Sequence, residues 1–377
     1  MDTITGVYSS AQVFTCSNSE HGLDSYAAAQ LQNLCDNPVA EGSVIRVMPD
    51  VHPGKVCTIG LTMTVRERVI PHIVGIDIGC GMTMAKIKAK KIEFQKLDKV
   101  IREKVPSGFG IRKDIHRWAA EFEFDNLLCA PHINRKKAEL SLGTLGGGNH
   151  FIELDKDGEG NVYLVVHSGS RHLGKEATDH YVDAGAVALK KEREDIPYPM
   201  TFLEGKLKEE YLQDLQVVQE YAELNRRIMI DEITRGMKWK VIETCSCIHN
   251  YVDFSWDIPI LRKGAISARA GESVIIPVNM RDGIILGKGL GNAEWNYSAP
   301  HGAGRIAKRE DIAANHTLAE FKSVMKGIYS PSISKGTLDE APFAYRSLEE
   351  IQDVIQETVQ IDKVITPVYN FKAEGGK

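Results

Sequence analysis

Short β-branched runs alternate along the chain with longer stretches whose apolar residues recur every three or four positions. The runs in SVIRVMPDVHPG and RVIPHIVGIDIGCGMTMAKIKA are broken by Pro and Gly, which predicts strands that end in turns. NVYLVVHSGS predicts another apolar strand, delivering His167 at its end. SVIIPVNMRDGIILGKG predicts a hairpin-rich segment. Helical spacing marks GKEATDHYVDAGAVALKKERE and KEEYLQDLQVVQEYAELNRRIMIDEITRGM, the second with a glycine near its end. SLEEIQDVIQETVQ predicts a third helix with Ser347 as its N-cap. Helices interrupt strands without a regular βαβ rhythm, so the pattern predicts an α+β fold rather than a doubly wound sheet. No internal repeat, low-complexity linker or domain cut is visible.

Composition narrows the picture. A chain of 377 residues, 43% hydrophobic, can bury a sizeable core. The formal charge of −5 argues against a protein that coats nucleic acid generally, while 46 Lys and Arg leave room for a local basic groove. No stretch reaches the roughly 18 apolar residues of a membrane span. The start, MDTITGVYSSAQVF, lacks the basic and apolar segments of a signal peptide, so the expectation is a soluble cytoplasmic protein. Seven cysteines are an odd number in such a chain and predict no disulfide framework. Cys16, Cys35, Cys57 and Cys129 read as small buried hydrophobes. Cys245 and Cys247 form a CxC that could hold metal, but with no second pair nearby both are expected to be buried.

Chemistry gathers where the strands end. GTLGGGNHF, residues 143–151, sets four glycines before Asn149 and His150. Either it is a sharp turn between elements or its backbone approaches something closely. Asp77 and Cys80 lie in GIDIGCGM, His167 opens HSGSRHLG, and His249 lies in CIHNY. Singly, each histidine reads as a hydrogen-bonded structural residue and Asp77 as a turn stabiliser. Jointly, one carboxylate, one thiol and three imidazoles in turn-rich contexts suit one or two divalent ions, with a thiolate able to bridge a pair. Sulfur and imidazole lean toward zinc; the carboxylate leaves room for manganese. In NYSAPHGAGRIAKRE, His301 is followed by small residues and by Arg305 and Arg309, which share a face if a helix starts there. That setting suits a phosphate, and a histidine in it can carry a phosphoryl or nucleotidyl group. The plainer alternative is a Gly-rich helix start with a surface histidine.

With these residues assembled, the chain resembles the RtcB family of RNA-splicing ligases. MPDVHPG, DIGCGM, GGGNHFIE, HSGSRHLG, HN, RKGA, HGAGR, DEAPFAY and a C-terminal lysine occur in the family's order over nearly the full length. The resemblance implies one large α+β catalytic domain over 1–377, with mixed or antiparallel sheets and surrounding helices. It implies a GTP- and Mn²⁺-dependent ligase, serving RNA repair or tRNA splicing. Such enzymes join RNA 3′-phosphate or 2′,3′-cyclic phosphate ends to 5′-hydroxyl ends. On this chain, Asp77, Cys80, His150, His167 and His249 would hold two Mn²⁺ ions, with Cys80 bridging. His301, beside Gly302 and Gly304, would take GMP from GTP. Asn149 and Glu153 would bind the guanylate, with Glu153 on the guanine edge, and Asn250 and Lys263 would help place phosphates. Tyr345 would pack near the guanine and Lys372 would contact the nucleotide. Arg171, Arg305 and Arg309 would engage RNA phosphate ends or the guanylate. The chain departs from the family at IPVNMRDG, where a Gly/Ser-rich segment is common, leaving Asn279 and Arg281 as substitutes. It departs again at Lys55 and Cys57, and in the tail beyond Lys372. A metal-dependent phosphohydrolase or cyclic phosphodiesterase is the competing class, and intact His301 and Arg305 argue against it.

Overall fold

The computed structural model describes residues 2–15, 22–191, 196–306 and 309–373; Cys16 lies outside them. The fold is α+β, as expected, and built on two larger sheets. One has six strands in the order Asp2–Thr5, Ser10–Val13, Ile45–His52, Ile59–Thr64, Ile260–Lys263 and Asn250–Asp253. Only its Ser10–Val13/Ile45–His52 pair is parallel. The other has seven antiparallel strands: Ser273–Asn279, Gly283–Gly289, Val359–Lys372, Phe151–Lys156, Val162–Ser168, Gly81–Lys88 and Lys240–Ile248. A short pair, Ala265–Ser267 with Ser298–Pro300, carries the chain to His301.

Burial on both faces explains the continuous apolar run at Val162–Ser168, every residue of which is buried. Leu164 and Val166 pack under Met229, Ile230 and Ile233 of the helix Gly205–Met237. Tyr163 and Val165 face the opposite way, toward Ile276 and Ile284 of the 273–289 hairpin. At about 25 cal/mol per Å² of apolar surface removed from water, two buried faces favour a strand over a solvent-facing helix here.

The expected helices form at Arg171–Lys191, Gly205–Met237 and Leu348–Ile355. Ser347 caps the last, accepting from the Glu350 amide while the Glu350 carboxylate accepts from the Ser347 amide, which satisfies two otherwise orphaned donors. Two expectations fail. Arg305 is extended, bridged to Tyr345, and the nearby helix spans Arg309–Asn315. The backbone pairing at 305 is what prevents a common helical face for Arg305 and Arg309. Cys245 is half-buried although Cys247 is buried, because period-two alternation puts both on one face of a sheet-edge strand whose cover thins toward Lys240. Cys35, Cys57 and Cys129 are buried as expected.

Candidate active site

The long helix ties the site-bearing turns together. Asn225 accepts hydrogen bonds from the Gly143 and Thr144 amides and donates to the Gly169 carbonyl. Arg226, fully buried, donates to the carbonyls of Gly79 (2.7 Å) and Ser168 (2.9 Å) and to the Thr83 hydroxyl. Two adjacent side chains thus fix the 76–80, 143–149 and 168–170 segments against one another. Within the glycine loop, Gly146 holds φ +86°, and a Cβ there would lie 2.0 Å from Arg171 Nη1 and 2.8 Å from His150 Nδ1. Close approach is therefore real, and at Gly146 the group approached is the protein's own.

Asp77, Cys80, His150, His167 and His249 come together as the sequence suggests. Asp77 Oδ2 lies 3.0 Å from His150 Nε2. Cys80 Sγ lies 3.3 Å from His150 Nε2 and 3.4 Å from His167 Nε2. His167 Nε2 lies 3.3 Å from His249 Nε2. Cys80 is central in this chain of contacts. Its sulfur and the two nearest imidazole nitrogens lie within 4.8 Å of one another, close enough to share one ion.

The tautomers test whether a cation fits. His150 Nδ1 faces the Leu145 carbonyl at 2.8 Å and His167 Nδ1 faces the Asn149 carbonyl at 3.2 Å. A carbonyl only accepts, so each Nδ1 carries the proton and each Nε2 turns a lone pair inward. Burial pushes His167 and His249 well below the usual imidazole range. Burial and the Asp77 charge push the Cys80 thiol well up. Acceptors converge with too few protons to pair them, which is the donor set a divalent cation satisfies, and a dication would also favour the Cys80 thiolate. Asn250 and Lys263 stand against the same turn: Asn250 Nδ2 donates to the Asp77 carbonyl (3.4 Å) and Lys263 Nζ to the Val74 carbonyl (3.0 Å). Arg171 donates to the Thr144 hydroxyl and the Gly108 carbonyl.

His301 continues the cluster, its ring centroid 4.8 Å from that of His249. Its Nδ1 lies 2.6 Å from Asp50 Oδ2, and its amide donates to the same oxygen. Asp50 is fully buried, and as a carboxylate it places the proton on Nδ1 and the free lone pair on Nε2. Sequence reasoning missed Asp50, although MPDVHPG contains it.

A cavity of about 960 Å³ opens beside His301, lined among others by Asn149, Glu153, Gly302, Gly304, Tyr345 and Lys372. Its size suits a nucleotide. A second missed residue, Glu340, organises one side. Lys372 Nζ and the Tyr345 hydroxyl each donate to Glu340 Oε2 at 2.6 Å, while Arg305 and Arg309 pair with Oε1. Burial alone would raise this carboxyl, but Lys372 and Arg309 hold it at about 2. Arg305 also lies over the Tyr345 ring. Elsewhere in the lining, on the strand paired with that of Lys372, burial pushes Glu153 up to about 8. The departing IPVNMRDG segment is the hairpin turn. Asn279 reaches the cavity but its amide is spent on Asp282 and on the turn, and Arg281 pairs with Asp282.

A cation-ready thiol–imidazole cluster, a buried carboxylate that frees one histidine nitrogen, and a nucleotide-sized cavity define a group-transfer site. The profile of the family described as tRNA-splicing ligase RtcB matches residues 30–373. The RNA-splicing ligase RtcB of Escherichia coli is 30% identical over 355 residues, covering 84% of this chain and 87% of that protein. The tRNA-splicing ligases RtcB of Aeropyrum pernix and Methanococcus maripaludis are 26% and 27% identical, each over 82% of this chain and 83% and 84% of their own lengths. The chain belongs to the RtcB family.

Proposed function

We propose that the protein is a GTP-dependent RNA ligase joining 3′-phosphate or 2′,3′-cyclic phosphate ends to 5′-hydroxyl ends, with the whole chain, 1–377, acting as one catalytic domain. The observation that carries the reading is the Asp50–His301 pair beside the cavity. With Nδ1–H held by Asp50, His301 Nε2 attacks the α-phosphorus of GTP; an N–P bond forms and pyrophosphate leaves. At a cyclic end, water first breaks the P–O2′ bond to leave a 3′-phosphate. An oxygen of the RNA 3′-phosphate then attacks that phosphorus, the N–P bond breaks, and GMP passes to the RNA. The 5′-hydroxyl attacks the terminal RNA phosphate and GMP leaves.

Asp77, Cys80, His150, His167 and His249 would hold two Mn²⁺ ions, which would supply neutralising charge to the reacting phosphates. Glu153 would accept from guanine N1–H and its amino group, which adenine does not match. Tyr345, Lys372 and Asn149 would flank the guanylate, and Gly302 and Gly304 leave it room. Arg305 and Arg309 would meet RNA phosphate or guanylate oxygens, Arg171 would steady the glycine loop on which RNA ends approach, and Asn250 and Lys263 would place phosphates from beneath. The test mixes labelled GTP, Mn²⁺ and RNA pairs of each end chemistry. An acid-labile protein label, with joining only of 3′-phosphate or 2′,3′-cyclic phosphate ends to 5′-hydroxyl ends, is expected. Phosphate release without label supports the phosphohydrolase class instead, and efficient joining of a 3′-hydroxyl to a 5′-phosphate would overturn the reading.

A further inference from the structure

Asn370 sits directly opposite Glu153 across the Phe151–Lys156/Val359–Lys372 strand pair. It is 1% exposed, lines the cavity, and its Nδ2 donates to Glu153 Oε1 at 3.2 Å. Its Oδ1 has no partner. Asp155, two residues beyond Glu153 and on the same strand face, is fully buried, and both its oxygens also lack partners. The surroundings of this polar group are apolar: Val165 is Glu153's register partner on the other neighbouring strand, and Ile276, Ile284 and Ile365 belong to the same buried cluster. A buried acceptor without a donor costs stability, and an apolar side chain of Asn370's shape would avoid that cost. The amide's hydrogen bond goes to Glu153, a carboxyl that lines the cavity, so the amide serves the cavity through Glu153.

We propose that Asn370 is a positioning residue for base selection, bracing Glu153 so that its carboxylate faces the Watson–Crick edge of a guanine as a double acceptor. The inference rests on the guanylate reading above. Asn370 supplies the hydrogen bond that Glu153 receives among the described residues. A carboxylate accepts and cannot donate, so the amide turns its NH₂ inward and favours the ionised form. The charged groups near Glu153 are Lys372, whose ammonium is engaged by Glu340, and Asp155, whose burial and proximity to Glu153 push its own carboxyl up. Burial keeps Glu153 near 8, with Asn370 and Lys372 pulling it down. Without the amide, Glu153 holds its proton to higher pH and offers guanine the wrong hydrogen-bond pattern.

Equilibrium binding of GTP and of ATP to the full-length protein tests this, with Asn370→Leu and Asn370→Asp beside wild type and thermal melting as the folding control. Asn370→Leu should lose about tenfold in GTP affinity, roughly one hydrogen bond to a charged group. ATP affinity should hold, the pH midpoint of GTP binding should move up, and melting should confirm that the variant is folded at the assay temperature. Asn370→Asp, which sets a like charge against Glu153, should move that midpoint further. GTP binding unchanged in both variants, or GTP and ATP weakened equally, overturns the role of Asn370. A wild type that binds GTP and ATP equally removes the guanylate reading itself, a separate result.

Discussion

Glu153 and Glu340 line the same cavity and are equally hidden from water, at 2% and 3% exposure, yet their carboxyls are driven in opposite directions. Glu340 lies among Lys372, Arg305, Arg309 and the Tyr345 hydroxyl, and pairing outweighs its desolvation. For Glu153, desolvation outweighs the amide hydrogen bond from Asn370 and the pull of Lys372. The thiol–imidazole cluster shares the character of the Glu153 side, with acceptors brought close together. One wall is complete in itself and holds its shape. The other leaves acceptors short of donors or positive charge.

The largest effect should come at His301. His301→Ala should abolish covalent labelling by GTP while metal content, measured by elemental analysis, stays at the wild-type level; residual labelling would move the chemistry to another residue. Chemically supplied RNA–GMP should still be sealed by that variant.

Cys80→Ser tests the incomplete wall. Removing the central sulfur should lower metal retention by at least tenfold, since a hydroxyl is a poorer anionic ligand than a thiolate. Equal metal content after dialysis would show that the imidazoles suffice without it.

Glu340→Gln tests the complete wall. It strands buried cations, and breaking such a pair costs about 3–5 kcal/mol. Denaturant unfolding should show that loss; a change within error would mean that water already screens the group.

The smallest effect is in the pH dependence, and its sign differs between the walls. Glu340, held at about 2 against an ordinary 4.5, stabilises the fold fully above 4.5, and that share is lost as pH falls toward 2. Glu153, at about 8 against 4.5, keeps a proton that the unfolded chain releases, so its share of stability falls as pH rises from 4.5 toward 8. Melting temperature followed against pH should flatten on the acid side for Glu340→Gln and on the neutral-to-alkaline side for Glu153→Gln. The same slope for both variants would erase the contrast.

Much of this was legible before any coordinates. The clustering of thiol and imidazoles could be anticipated because these groups are scarce and stand beside glycine turns at strand ends, as at Cys80, His150 and His167. The strands and long helices could be read from periodicity, since burial on one or two faces leaves a mark every second or every third to fourth residue. Asp50 and Glu340 could not be singled out, because acids are common and nothing local distinguishes a buried one. Asn225 and Arg226 were hidden within a helical pattern that treats their polar side chains as solvated. The extended conformation at Arg305 depended on a partner, Tyr345, 40 positions away.

The sequence by itself determined the α+β character, the chemical types at the site and the chain segments that bear them, because these follow from local periodicity and from rare side chains. Tertiary structure alone decided protonation and pairing. Asp50 reaches His301 across 251 positions, Asn370 reaches Glu153 across 217, and the same residue type, glutamate, becomes a firm anion on one wall and a proton holder on the other. Charge state depends on which groups share a low-dielectric space, and that proximity is created only when distant strands are brought together.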